Sequence, residues 1–281
     1  PVFILHGWHD VGMPPNEPLA LFNRLGVPKK LYLGGGGHDG ADDPKALETR
    51  QDLIDRWLAH WLKGEPNGIM DEDAIVYPQR PGWSHAGVPR IPVSDESLTL
   101  FLESGDKLSS VRPEGPDTHA NVGNRPLNPD YGLKEAIYDE DMAGVPAALK
   151  RDVTSFESNV FDEGVEILGS PKASLYMMPN AEAFQVSIGL YDVGHDGSEA
   201  LITRGQFGTR RAEPGQHVEV SVLMRTIGYQ LAAGHHLRLD VSNYDTTFAF
   251  PIFSPFVARL YHDSRHASQI AIPTRSSLDR A

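Results

Sequence analysis

The chain has 281 residues, 40% of them apolar, with 25 Lys and Arg against 38 Asp and Glu and no cysteine. That length and apolar content can bury a sizeable core in one large all-β domain or two smaller units, while the net charge of −13 repels a polyanion and argues against nucleic acid as a partner. No apolar run reaches the roughly 18 residues of a membrane span, which argues against a membrane partner, and the lack of cysteine excludes disulfides and thiolate zinc sites. Such a composition fits cytosolic and exported proteins alike, with the cytoplasm slightly favoured.

In chain order, the apolar run Val2-Phe3-Ile4-Leu5 predicts a strand that delivers the turn His6-Gly7-Trp8-His9-Asp10. A short helix is expected over Glu17 to Gly26, with Leu21, Phe22 and Leu25 on one face and Gly26 as its stop. A second strand, Leu31-Tyr32-Leu33, delivers Gly34-Gly35-Gly36-Gly37-His38. From Pro44 to Leu62, apolar residues at 47, 54, 57, 58, 61 and 62 recur at helical spacing, with Asp43 as N-cap. Strand, helix, strand, helix is α/β grammar, but four elements are too few for a stable doubly wound domain and leave the first strand with an unpaired edge. Further strands are expected from sequence upstream of Pro1.

Beyond Gly64 the texture changes to short β-rich runs between Gly, Pro, Asn and Asp, so the second domain is expected to start near residue 69. Strands are expected at 74–77, 98–102, 173–177, 184–192, 200–203, 217–223, 236–242 and 269–272, with a hairpin turn at Asp196-Gly197. This organisation predicts α/β plus all-β: residues 1–68 as the C-terminal portion of an α/β domain, and residues 69–281 as a jelly-roll β-sandwich. The segment 105–150 is too long for an ordinary connection and reads as functional or mobile.

Two strand ends that each finish in a catalytic residue type, Asp10 and then His38, follow the acid-then-histidine order of an α/β-hydrolase triad, whose serine comes first. The nucleophile is therefore expected upstream of Pro1. No Gly-x-Ser-x-Gly occurs in the chain, and the nearest approach, Gly82-Trp83-Ser84-His85-Ala86-Gly87, has the wrong spacing and follows both Asp10 and His38. The bland reading of the pair is a turn aspartate and a loop histidine. Trp8 stands between lining an acyl pocket and packing.

Other groupings carry less. His6, His9 and His38 could converge on zinc, but a His-x-x-His in a loop is more often incidental, and neither a metal nor a cofactor is expected. The glycines 34–37 lack the Gly-Lys-Ser/Thr of a phosphate loop. His262 and His266 read as part of a polar surface loop. Asp192 and Asp196 could bind calcium, although the Asp-Gly turn already accounts for Asp196. Trp57 and Trp61 read as core, and Phe248, Phe250, Phe253 and Phe256 as a cluster between layers.

The turn Gly7-Trp8-His9-Asp10, the His38 loop and the helix end His60-Trp61-Leu62-Lys63-Gly64 resemble the X-Pro dipeptidyl-peptidase and cocaine-esterase type hydrolases of the S15 (CocE/NonD) family. The C-terminal jelly roll of that family is matched by Arg151-Asp152-Val153, Ile167-Leu168-Gly169-Ser170-Pro171, Leu190-Tyr191-Asp192-Val193, Ala233-Gly234-His235-His236 and Ile270-Ala271-Ile272-Pro273. The resemblance implies a serine hydrolase acting on a small-molecule ester or an X-Pro peptide, with Asp10 as triad acid, His38 as general base, and an N-terminal half of the hydrolase domain as its structural partner. It implies that residues 1–281 alone are inactive, the nucleophile being elsewhere. Gly36-Gly37 replaces a Pro-Trp pair common in the family, and Gly12 and Met13 stand where amino-ester hydrolases carry acidic residues, which points away from an amino-ester substrate. The competing expectation is a carbohydrate- or peptide-binding jelly-roll module without catalysis. Monomer and homo-oligomer are both open.

Overall fold

The computed structural model describes residues 1–10, 12–38, 44–92, 97–116, 119–124, 152–245, 252 and 254–275. Its first sheet has the order β1 (Val2–Gly7), β2 (Lys29–Gly34), β3 (Ile75–Pro78) and β4 (His85–Val88). The first three strands are parallel and β4 is antiparallel to β3. Helix α1 (Asn16–Arg24) links β1 to β2, and α2 (Pro44–Lys63) precedes β3. The register pairs His6 with Leu33 and Gly7 with Gly34, so the turns that follow the two strands emerge side by side.

Both helices differ in detail from their sequence patterns. Helix α1 does not end on a left-handed Gly26: Leu25 turns to extended backbone, and the Lys29 ammonium donates to the carbonyls of Phe22 and Leu25 at 2.7 and 2.9 Å. A cation at the negative end of the helix dipole replaces the glycine cap. On α2 the buried stripe is Ala46, Leu53 and Trp57, whereas Leu47, Leu58 and Leu62 face outward, Leu62 at 78% exposure. The apolar pattern thus covered two faces, of which the sheet takes one. Asp43, the expected cap, lies outside the described residues.

The first sheet also runs past the boundary expected at residue 68, because β3 and β4 complete it. The other thirteen strands among the described residues are β5 (Ser97–Glu103), β6 (Lys107–Ser109), β7 (His119–Asn124), β8 (Val153–Ser158), β9 (Val165–Gly169), β10 (Lys172–Pro179), β11 (Phe184–Val193), β12 (Glu199–Thr209), β13 (Val218–Leu223), β14 (Ile227–Leu231), β15 (His236–Ser242), β16 (Phe256–Tyr261) and β17 (Gln269–Arg275). They form a β-sandwich with the path β12-β11-β15-β8-β6-β5-β17-β10-β16-β7, in which β13 joins β10 and β9 bridges β17 to β14. Strand β10 shows why the chain folds so: Ala173, Leu175 and Met177 alternate into the core while Lys172, Ser174 and Tyr176 face away. Asp196-Gly197 turns the β11–β12 hairpin, with Gly197 at φ 79°. Of the long 105–150 segment, β6 and β7 are described and residues 125–150 are not.

The sandwich meets the first sheet along a polar seam. Buried Glu166 accepts hydrogen bonds from the Tyr77 hydroxyl (2.8 Å) and the Gln79 amide (2.6 Å), and Arg275 lies 3.8 Å from its other oxygen. Asn16, at the start of α1, donates to Ser170 Oγ and Met224 O and accepts from the Thr226 amide. Removing one member of a buried charged network strands the others. Glu166→Ala is therefore expected to lower unfolding free energy by about 3 kcal/mol in urea titration. A change within about 0.5 kcal/mol, typical of an exposed site, would show that the seam does not hold the layers together.

Candidate active site

The two turns after β1 and β2 are locked by backbone bonds from Trp8 N to Gly34 O (2.9 Å) and from His9 N to Gly36 O (3.2 Å). A Cβ on Gly7 would overlap the Gly36 carbonyl and come within 2.9 Å of the Gly37 oxygen, so this approach needs glycine. The result brings His38 Nδ1 to 2.9 Å from Asp10 Oδ2. The other carboxylate oxygen, Oδ1, accepts the amides of Gly12 (2.8 Å) and Met13 (2.9 Å). The Asp10 side chain is 5% exposed and that of His38 is 66% exposed. Burial by itself would raise the Asp10 carboxyl. The Met13 amide, the His38 ring and the Gly12 amide outweigh it and hold the group below its usual range. A shallow cavity of ≈ 180 Å³ beside the pair is lined by Asp10, His38, His6, Met13 and Tyr32.

The sandwich also reaches this turn. The Arg225 guanidinium donates to the Asp10 backbone carbonyl. Arg225 follows β13, and nothing local in its sequence announced a contact across 215 positions.

The remaining candidate residues fall elsewhere. Trp8 is 1% exposed and packs edge-on against Tyr77 at 5.8 Å, so packing dominates, although it borders a second cavity described below. The three imidazoles do not converge: His6 Nε2 contacts Met13 O at 2.8 Å, His9 lines that second cavity, and His38 faces Asp10. No metal-ligating group of three is present among the described residues. Asp192 is occupied on both oxygens, by His235 Nδ1 (2.7 Å) and the Tyr229 hydroxyl (2.8 Å), while Asp196 accepts the Ser198 amide within its turn.

Residues 262–266 are only in part the polar surface loop expected, with Ser264 and Arg265 exposed. His262 and Asp263 are buried, Asp263 accepting the amides of Arg265 and His266, and the His266 ring stacks on His217 at 4.2 Å. Trp57 and Trp61 pack together on the sheet side of α2. Phe256 is buried against Phe184, whereas Phe248, Phe250 and Phe253 lie outside the described residues. The Ser84 hydroxyl donates to Gln79 Oε1.

A β-sandwich joined to a short, mostly parallel sheet is a fold shared with solved structures. A CocE/NonD family hydrolase from Staphylococcus aureus superposes over 98% of this chain and 54% of its own, with a TM-score of 0.74 at 14% identity. By sequence the chain is 25% identical over 271 residues to a putative Xaa-Pro dipeptidyl-peptidase of Bacillus cereus, spanning 88% of this chain and 43% of that protein. A putative serine esterase of Mycobacterium tuberculosis is 23% identical over 97% of this chain and 50% of its own. The chain thus spans about half the length of the curated relatives it matches. Residues 67–256 match the X-Pro dipeptidyl-peptidase C-terminal non-catalytic domain, and the chain belongs to that family. The match begins before β3, so residues of the matched domain finish the first sheet.

His9 provides a test of the electrostatics around the turn. Burial first, and then the guanidinium groups of Arg80, Arg204 and Arg225, push its imidazole down from 6.5 to about 4. The unfolded chain takes up this proton below pH 6.5, whereas the native chain refuses it until about pH 4. The associated stability is fully present above pH 6.5 and is lost as the pH falls toward 4. Urea unfolding at pH 7 and at pH 4.5 is expected to show His9→Asn losing roughly 2 kcal/mol less than the unsubstituted protein. Equal losses would mean that His9 is protonated in the native turn.

Proposed function

We propose that Asp10 and His38 are the acid and general base of a Ser-His-Asp triad, in a serine hydrolase that cleaves small ester or X-Pro peptide bonds. The observation that carries this reading is the 2.9 Å contact from Asp10 to Nδ1, which leaves Nε2 as the ring nitrogen for proton transfer. In that role His38 takes the proton of the attacking serine hydroxyl and returns it to the leaving group. Asp10, kept ionised by two amides, holds the tautomer and stabilises the imidazolium as it forms. The nucleophile is assigned to sequence upstream of Pro1. The acid-before-histidine order and the absence of Gly-x-Ser-x-Gly support this placement.

On this reading residues 1–68 are the last part of the α/β-hydrolase domain, and residues 69–281 are the jelly-roll domain that braces it and lends it β3 and β4. The partner of the β1 edge is then the preceding part of the same hydrolase domain. The competing binding-module reading gains no support from the sandwich surface: the exposed large apolar side chains among the described residues are aliphatic, with no aromatic row for sugar stacking.

The test uses the full-length protein with p-nitrophenyl acetate and Ala-Pro-p-nitroanilide. His38→Ala is expected to reduce kcat by about 10⁴-fold or more, and Asp10→Asn by roughly 10³- to 10⁴-fold, with KM little changed. A fluorophosphonate is expected to label a serine outside residues 1–281. Labelling of Ser84, or turnover within tenfold of normal in His38→Ala, would overturn the assignment.

A further inference from the structure

A second cavity, of ≈ 600 Å³, lies on the other side of the Gly36-Gly37 turn from His38, between the first sheet and strands β12 and β14. Its volume suits one small organic molecule. Among the described residues three guanidinium groups line it, those of Arg80, Arg204 and Arg225, and no carboxylate does. In a chain of net charge −13 this is a local reversal of sign.

The three arginines are not equivalent. Arg204 pairs with Asp245 at 2.7 Å, and Arg225 is tied to the Asp10 carbonyl. Arg80 has no carboxylate partner among the described residues. It is nevertheless held in place: Nη1 donates to Gly35 O at 3.1 Å, the guanidinium lies 4.8 Å from the Trp83 ring centre, and its own carbonyl accepts the Gln230 amide at 2.7 Å. Gly35 permits this, since a Cβ there would lie 2.6 Å from Trp83 Cη2. A fixed fork with unused donors is the geometry that recognises a planar carboxylate. The remaining walls include Trp8, Trp83, Leu201 and Ile227, which suit a hydrocarbon body.

We propose that this cavity binds a small organic carboxylate, with its anionic head on Arg80 and its apolar body against the tryptophan side. Its place beside the Gly36-Gly37 turn makes that carboxylate part of the substrate or product, a step that rests on the hydrolase reading above. The direct binding measurement does not depend on that step.

Isothermal titration of the full-length protein with hexanoate, with neutral hexanamide and with inorganic phosphate tests the site. Hexanoate is expected to bind at least tenfold more tightly than either comparison, and more weakly as ionic strength rises. Arg80→Gln is expected to weaken hexanoate by tenfold or more, and Arg80→Lys by a smaller factor, with thermal melts showing that each variant folds. His38→Gln is expected to leave hexanoate binding unchanged. If that variant keeps its turnover while hexanoate still binds through Arg80, the hydrolase reading fails and the anion site stands. Phosphate or hexanamide binding as tightly as hexanoate would overturn the carboxylate assignment. So would hexanoate binding that is absent, or indifferent to Arg80→Gln in a folded variant.

Discussion

The geometry of this protein turns on the close approach of two backbone turns at Gly7 and Gly36. Parallel pairing of β1 and β2 brings the turns out at the same edge, but only the missing side chain at Gly7 lets them touch. Every feature of the candidate site is referred to that contact. It fixes Trp8 and His9 on the Gly34 and Gly36 carbonyls, sets Asp10 opposite His38, and divides the space into a cavity at the Asp10–His38 pair and a cationic one behind it. An alanine at residue 7 would have to part the turns, and a hydrogen bond of 2.9 Å does not survive an ångström of separation.

The sandwich secures the turn by directional bonds as well as by apolar packing. Strand β14 lies under Trp8 and Tyr77 because Gly228 offers no side chain: a Cβ there would sit 2.8 Å from Tyr77 Cδ2 and 3.1 Å from Trp8 Cζ2. The segment leading into β14 supplies Arg225 to the Asp10 carbonyl and the Thr226 amide to Asn16. Glu166, on the neighbouring β9, receives Tyr77 and Gln79 from the first sheet. Burial, then Glu166 beside it, raises the Tyr77 hydroxyl well above its usual range, so it remains a donor at all ordinary pH. Hydrogen bonds fix distance and direction where apolar contact fixes only proximity, which is why a domain described as non-catalytic can set the position of a turn it does not contain.

Local pattern was enough to reveal β1, β2, α2 and the alternating strands β10 and β15, because each repeats one physical rule over several residues. It was enough also for the juxtaposition of Asp10 and His38, since parallel strand ends meet in a predictable way. Strands β8, β9 and β14 were not anticipated as strands: each is five or six residues long, and β14 carries Gly228 and Gln230, which blur the period of two. Tertiary demand decided other cases. Lys29 displaced Gly26 as the end of α1, and Asp263 was drawn inside to close the 262–267 turn. Arg225 was beyond reach for the same reason, because its partner lies in another layer and leaves no trace in the residues around it.

The charges at the centre of the molecule balance in a way that separates the roles of the two cavities. Arg225 is pushed down to about 10 by burial and then by Arg204, and the charges of Asp10 and Asp245 pull it back up. These two carboxylates therefore answer for the two sandwich arginines, and the ionised state of Asp10 serves both Arg225 and His38. Among the described residues the Arg80 charge has no such counterpart, and the imidazole that stands among the three guanidinium groups, His9, answers by staying neutral. An anion entering beside Arg80 would lift that restraint and draw the His9 proton affinity back up, whereas a cation would deepen the excess. The Arg225 guanidinium reaches the turn that carries Asp10, so positive charge lies behind that carboxyl while the side chain of His38 is open to solvent, an arrangement that favours the carboxylate form of Asp10.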